Sequence, residues 1–388
     1  MGKFDTPASQ TDLTWDYSDP VNGQTIPAPY FFDPQIFAEE KEHIFMQCWH
    51  LVGHVNEFNE PGSYIVQDIF EQSVVVTCDK TGDIHAWHNV CRHRGNRLMT
   101  ERRGKVGGVL RCQYHSWCYN LDGGLRTAPR TEHLECFSKA DHSLKKVRME
   151  IFASWIFVTL DDDAKPVLEI AAGAEDEMRR FLPDMDNVEL VSETDVIVDA
   201  NWKVIQENSI EGYHFDLSGP VHKELAALID FKGYTLTAHD QWWTYIGPPN
   251  KDTTHAYGEP LEGATWQTDW FFNIGLFPNT TFYSFPYTDM IGTFIMIPLT
   301  PEKSLLRFGY YAPKGRAVPK VTETAIEWMN TQLGPEDIEL NETNQKGLHS
   351  IGFGSGRYLI DENLPNQSEH LVHHFHMLCY QAIKEFQK

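Results

Sequence analysis

The pattern of apolar and polar positions changes character along the chain. Residues 1 to 28 carry no sustained apolar period and are rich in turn-formers, which predicts an extended arm. The run DPQIFAEEKEHIFMQCW (33 to 49) places apolar residues at helical spacing behind an Asp-Pro start, the pattern of a short amphipathic helix. From 50 to 160 the period shortens. GSYIVQDI, QSVVVTC, IHAWHNV, GVLRC and SWIFVTL are β-rich runs divided by Gly, Asp and Asn turns, which predicts a small antiparallel β domain. The charged, Pro-terminated DDDAKP marks a boundary near 160 to 165, followed by a helical patch at 166 to 181. LVSETDVIVDANWKVIQEN then alternates as a strand before entering a helix. Aromatic strands recur beyond 230 in DQWWTYIG, TDWFFNIG, TTFYSFPY and IGTFIMIPL, and TETAIEWMNTQL and the final SEHLVHHFHMLCYQAIKEFQK read as helices. The expected architecture is α+β: an arm and helix over 1–45, a small all-β unit over 46–162, and a larger unit over 163–388 with an antiparallel sheet covered by helices.

Composition narrows the function classes. In 388 residues, 41% apolar and 13% aromatic content supports a folded chain with an aromatic interior. A net charge of −23 argues against nucleic acid, which rewards a basic surface. No apolar run is long enough for a membrane span, and the N-terminus lacks a signal-peptide pattern. Its M-G-x-x-x-T has no polybasic neighbour, so the myristoylation reading carries little weight. Seven widely spaced cysteines are no disulfide framework and point to a reducing cytoplasm, with some thiols kept as ligands.

The first candidate chemistry is Cys91-x-His93, then eighteen residues, then Cys112-x-x-His115. Two thiolates and two imidazoles could hold zinc, or a [2Fe–2S] cluster in which two histidines serve one iron. Mixed Cys/His pairs on loops between strands, with Gly95, Gly107, Gly108, Gly123 and Gly124 allowing amides to approach the sulfurs, favour the cluster. With Arg94, Gly95, Trp117 and the YNLDG turn, these residues resemble the Rieske signature. The other cysteines, Cys48, Cys78, Cys118, Cys136 and Cys379, are expected to pack.

A Rieske cluster only moves electrons, so the larger unit should hold an acceptor. NWKVIQENSIEGYHFDLSGPVH (201 to 222) sets His214 beside Glu211 in an expected helix, with His222 after a Ser-Gly-Pro break. Two histidines and a carboxylate on one face of ferrous iron leave positions open for O2. From about residue 30 to 385 the chain resembles the catalytic α subunit of Rieske non-haem iron oxygenases. The resemblance implies that His214 is the first iron ligand, that Glu211 bridges cluster and iron between subunits, and that Asn208 lies near the iron. The family usually has its second histidine five residues after the first. Here that position is Gly219, so the ligand maps to His222, with Asp216 as the alternative. The segment LGPEDIELNETNQKGLHS aligns Asp337 with the third ligand, although Glu336 and Asp337 could merely complement a helix N-terminus. His349, His370, His373, His374 and His376 are expected to pack or cap.

The resemblance further implies a mono- or dioxygenase of O2 with electrons from NAD(P)H through a flavin and iron–sulfur reductase, with or without a ferredoxin. The C-terminal part is similar to the choline, carnitine and glycine-betaine branch, whose members form homotrimers and hydroxylate or demethylate small quaternary ammonium compounds. An aromatic ring or aromatic acid is the alternative substrate. The pocket is expected along the 242 to 296 strands, at Trp243, Tyr245, Trp270, Phe272, Phe282 and Phe285, and alternation lets about half of the aromatic residues there face it. Two rival classes remain: a Rieske electron carrier, which would hold one iron centre, and a zinc-stapled binding protein, which would be colourless.

Overall fold

The computed structural model describes residues 13–251, 256–259, 269–361 and 363–384, so the M-G-x-x-x-T pattern lies outside the described residues. The β-rich half contains three antiparallel sheets. Trp155–Thr159 lies between His50–His54 and Arg148–Phe152. A second sheet runs in the order Ile84–His88, Gln72–Cys78, Ser63–Ile69, Arg103–Lys105, and a third joins Val109–Arg111, Cys118–Asn120 and Leu125–Thr127. Val74, Val75 and Val76 are inaccessible in succession because both faces of their strand are covered. Val75 packs toward Trp87, Cys91 and Cys112, and Val74 and Val76 pack toward Ile156 and Val158. A continuous β-branched run is what such a strand requires.

The larger half is built on a seven-stranded antiparallel sheet, in the order Val188–Val198, Lys303–Pro313, Ile291–Thr300, Thr280–Ser284, Phe271–Leu276, Trp242–Gly247, Thr235–Ala238. Strand alternation divides its aromatic residues between two cores. Phe271, Tyr283 and Phe285 share one with residues of the helices Trp202–Ser209, Gly334–Leu348 and His370–Lys384. Phe272, Ile274 and Phe282 share the other with the helix Ala174–Phe181 and with Trp49, Leu51, Trp155 and Phe157, which dock the β-rich half onto the sheet.

The described part of the N-terminal arm packs on the larger half: Trp15, Ile26, Tyr30, Phe31 and Phe45 belong to its core. The helix expected over 33–49 is shorter. It spans Pro34–Glu40, where the Asp33 carboxylate accepts the Gln35 and Ile36 amides, and then widens into the turn Lys41–Phe45. Its last residue, Glu40, is fully buried and accepts from Trp202 Nε1 at 2.9 Å and from the equally buried Lys203 Nζ at 2.5 Å. Breaking such a pair leaves one charge buried without its partner. Glu40→Ala is therefore expected to cost about 3–5 kcal/mol, read as a lower denaturation midpoint. Glu71→Ala, which removes only the exposed partner of Lys41, should change stability by less than about 0.5 kcal/mol.

Candidate electron-transfer and metal sites

Cys91 and Cys112 open two loops with one backbone plan. In the first, the Gly95 amide donates to Cys91 O at 3.0 Å and the Cys91 amide to Asn96 O at 2.7 Å. In the second, the Ser116 amide donates to Cys112 O at 3.1 Å and the Cys112 amide to Trp117 O at 2.8 Å. Each loop turns on a left-handed residue, Gly95 at φ 74° and Ser116 at φ 59°. Both thiols are thereby buried and both imidazoles, His93 and His115, stand at the surface with ring centroids 4.7 Å apart. Trp117 stacks on His93 at 4.9 Å, and the Tyr119 hydroxyl lies 3.3 Å from Cys91 Sγ while accepting the Arg92 amide. Two paired thiols below and two imidazoles above fit a [2Fe–2S] group with a buried sulfur side and an exposed imidazole side.

The helix Trp202–Ser209, capped by Asn201, ends before Glu211. Glu211 and His214 were expected on a helix but lie in the turn beyond it. Glu211 causes that stop: its carboxylate accepts the amides of Tyr213 and His214, which helical continuation would direct to backbone carbonyls. The other carboxylate oxygen holds His214 Nδ1, so His214 Nε2 faces Asn208 Nδ2 at 3.5 Å and Asp337 Oδ1 at 3.8 Å. His222 sits in the first turn of Pro220–Ala227. Its Nδ1 meets Glu336 Oε2 at 2.6 Å and its Nε2 meets Asp337 Oδ1 at 2.9 Å. Both imidazoles are thus held at Nδ1 by a carboxylate, which fixes the ring and presents Nε2. One ligand atom from each of His214, His222 and Asp337 lies within 4.8 Å of the others. This donor set, two imidazoles and one carboxylate, fits non-haem ferrous iron. Asp216 is exposed and outside the set.

Gly219 explains the longer histidine spacing. A Cβ at this position would stand 1.5 Å from Glu336 Oε1. The carboxylate fills the space a histidine there would need, and it also accepts the His222 amide at 2.8 Å. Glu336 therefore caps the helix and holds the imidazole at once. Sequence reasoning gave it only a place beside a helix N-terminus, and it does lie in the first turn of Gly334–Leu348. Residues 329–333 form a wide turn between Lys320–Trp328 and Gly334–Leu348, and the backbone stays helical through Leu333 and Gly334. The Gly334 amide reaches back to Met329 O, and Pro335, with no amide of its own, accounts for the widening.

A cavity of about 230 Å³ adjoins the three residues. Tyr245 and Phe285 line it as expected, with Phe271, Tyr283, Phe294 and Phe308. Four expected pocket residues do not. Phe272 and Phe282 occupy the opposite parity of their strands and pack with Trp155 and Phe181, and Trp270 packs on Phe181. Trp243 has the correct parity but lies farther along its strand, over Gly275 and against Phe375. Asn273, Thr281, Asn330 and Asn341 also line the cavity and were missed. An Asn within the apolar run FFNIGL was the available signal.

Of the five histidines expected to pack or cap, four make contacts away from the metal set: His376 bridges Glu207 and Tyr358, His349 meets Glu302, and His370 and His373 meet backbone carbonyls; the fifth, His374, lies beside the backbone of His239 and Asp240. Nearby, Glu369 has its pKa pushed up to about 7, by burial first and then by Glu211 and Glu207, against the Leu359 amide it accepts. The folded chain therefore binds a proton more tightly than the unfolded chain between its ordinary value of 4.5 and about 7. Stability from this group is complete below pH 4.5 and is lost as pH rises through 7. Glu369→Gln should flatten that decline, worth on the order of 3 kcal/mol, in denaturation midpoints measured from pH 4.5 to 7.5.

Comparison with known proteins places these sites in a wider group. The profile of the ring hydroxylating alpha subunit (catalytic domain) matches residues 185–385, and that of the Rieske [2Fe-2S] domain matches 48–138. The carnitine monooxygenase oxygenase subunit of Escherichia coli (strain K12) is 30% identical over 370 residues, covering 95% of this chain and 96% of its own. The glycine betaine monooxygenase oxygenase subunit of Chromohalobacter salexigens is 36% identical over 370 residues, covering 86% of this chain and 81% of its own. The crystal structure of the quaternary ammonium Rieske monooxygenase CntA with L-carnitine superposes with a TM-score of 0.84 at 27% identity, over 97% of this chain and 99% of that one.

Proposed function

The chain belongs to the family of Rieske-domain ring-hydroxylating oxygenase α subunits, and on that premise we propose that it hydroxylates or oxidatively demethylates a small quaternary ammonium compound. It is an oxidoreductase of the O2-incorporating class, with a [2Fe–2S] cluster and a mononuclear non-haem iron. The observation that carries the substrate reading is the cavity beside His214, His222 and Asp337, walled by Phe215, Tyr245, Phe271 and Phe285. Aromatic faces attract a desolvated ammonium group through their quadrupoles.

Cys91, His93, Cys112 and His115 are the proposed cluster ligands, and His214, His222 and Asp337 the proposed iron ligands. When bound, these groups supply single electrons and a site for O2 reduction. The chain's own part is positioning. Glu211 and Glu336 orient the two imidazoles, Asn208 faces the open side of His214, and the aromatic walls exclude water from the substrate. The exposed His93 and His115 edge is the proposed docking face for an electron acceptor on a neighbouring subunit, with Glu211 as the link, in a homotrimer. A flavin and iron–sulfur reductase, with or without a ferredoxin, is the proposed donor, and the cytoplasm the proposed compartment. No helix among the described residues is long and apolar enough to cross a membrane.

Iron and acid-labile sulfide analysis of the purified protein tests the two-centre reading. About three irons and about two sulfides per chain are expected. About two irons, unchanged after ferrous reconstitution, would mean an electron carrier, and zinc without visible absorption would overturn the reading entirely.

A further inference from the structure

Five strands cross the floor of the cavity, and their register aligns one residue from each in a transverse row. Tyr245 lies opposite Asn273, Asn273 opposite Tyr283, Tyr283 opposite Gly292, and Gly292 opposite Tyr310. The position at Gly292 must lack a side chain, because a Cβ would stand 2.0 Å from Tyr283 Cζ. The Tyr310 hydroxyl donates to Asn330 at 2.9 Å.

Asn273 breaks the pattern. It is 5% exposed, lines the cavity, and its Nδ2 has no hydrogen-bond partner. An unmet buried amide costs about 1–3 kcal/mol, which a leucine at the same place would avoid. The Thr281 hydroxyl, one row along, and the Tyr283 hydroxyl are also buried, Thr281 next to the Tyr245 phenol and Tyr283 next to the Tyr310 phenol. Burial holds the Tyr245 and Tyr283 phenols far above their ordinary range, so they remain neutral.

The charge of the wall restricts what can answer these groups. No Lys or Arg occurs among the described residues lining the cavity. Apart from the iron that His214, His222 and Asp337 would hold, a carboxylate seated on Asn273 would meet neutral donors alone, and desolvating an anion with no Lys or Arg partner costs several kcal/mol. A hydroxyl or carbonyl group would satisfy the amide at no such cost.

We infer that Asn273, flanked by Thr281 and Tyr283, forms a subsite for an uncharged hydrogen-bonding group of the substrate. The cavity accordingly takes a hydroxyl- or carbonyl-bearing ammonium monocation in preference to a zwitterion ending in a carboxylate. This rests on the quaternary ammonium reading above.

The test is equilibrium binding of choline, tetramethylammonium, glycine betaine and L-carnitine to the iron- and cluster-loaded protein and to its Asn273→Leu variant. Choline is expected to bind at least about tenfold more tightly than either zwitterion. Asn273→Leu should weaken choline about tenfold, the worth of one hydrogen bond, and leave tetramethylammonium within about twofold. Asn273→Ala makes the same comparison should the leucine variant fail to fold. Tighter binding of a zwitterion, or equal weakening of choline and tetramethylammonium, overturns the subsite while leaving the ammonium reading intact. Failure of all four to bind the wild-type protein overturns the ammonium reading, and the subsite with it.

Discussion

His222→Ala is expected to purify with the visible spectrum of the [2Fe–2S] cluster intact and about two irons per chain instead of about three, with turnover below about 1% of wild type. The expectation follows from what the side chain touches. His222 Nε2 lies 2.9 Å from Asp337 and its Nδ1 lies 2.6 Å from Glu336, so its loss takes one donor from the iron set and leaves two carboxylates facing each other across the gap. The cluster loops share no residue with this region: their core is built from Val75, Trp87, Leu110 and Trp117. Iron and sulfide assays with the absorption spectrum separate the two outcomes. A variant that kept three irons would place the second histidine ligand elsewhere.

Glu336→Ala has the second largest expected effect, a loss of about 10–100-fold in ferrous affinity. The carboxylate holds the His222 ring and amide together, so without it the imidazole gains freedom and the helix Pro220–Ala227 loses its cap. Gly219→Ala should act in the same direction by the opposite route, because its Cβ would displace that carboxylate from 1.5 Å. Competition against a chelator of known affinity reads both variants. Matching losses, with an unchanged cluster spectrum, are the expected result, and wild-type affinity in either would remove Glu336 from the account.

Legibility in the sequence followed the range of each interaction. The Cys/His pairs could be read because all four donors lie on two short loops, and each loop closes on its own cysteine carbonyl. The α+β division and most strands were visible in the change of period. Glu336 was hidden because its partner is 114 residues away and nothing local distinguishes a carboxylate on a helix surface from one filling the place of a missing side chain. The pocket residues were half misread for a different reason. Strands such as Phe271–Leu276 are buried on both faces, so polarity does not mark which parity faces the cavity. Phe271 and Phe272 are equally apolar, and only packing of the β-rich half against one face separates them. The helical placement of Glu211 and His214 failed because a carboxylate can take over backbone amides and end a helix that propensity would continue.

The central claim is that a cluster, an adjacent iron and an aromatic cavity together oxidise a methylated ammonium compound. Single turnover tests it most directly: the protein, reduced anaerobically and freed of reductant, is mixed with O2 and either choline-type trimethylammonium compounds or aromatic acids. Formaldehyde, or a hydroxylated ammonium product, is expected in amounts that follow the reduced cluster. Ring-hydroxylated product from the aromatic acids, with no oxidation of any ammonium compound, would contradict it.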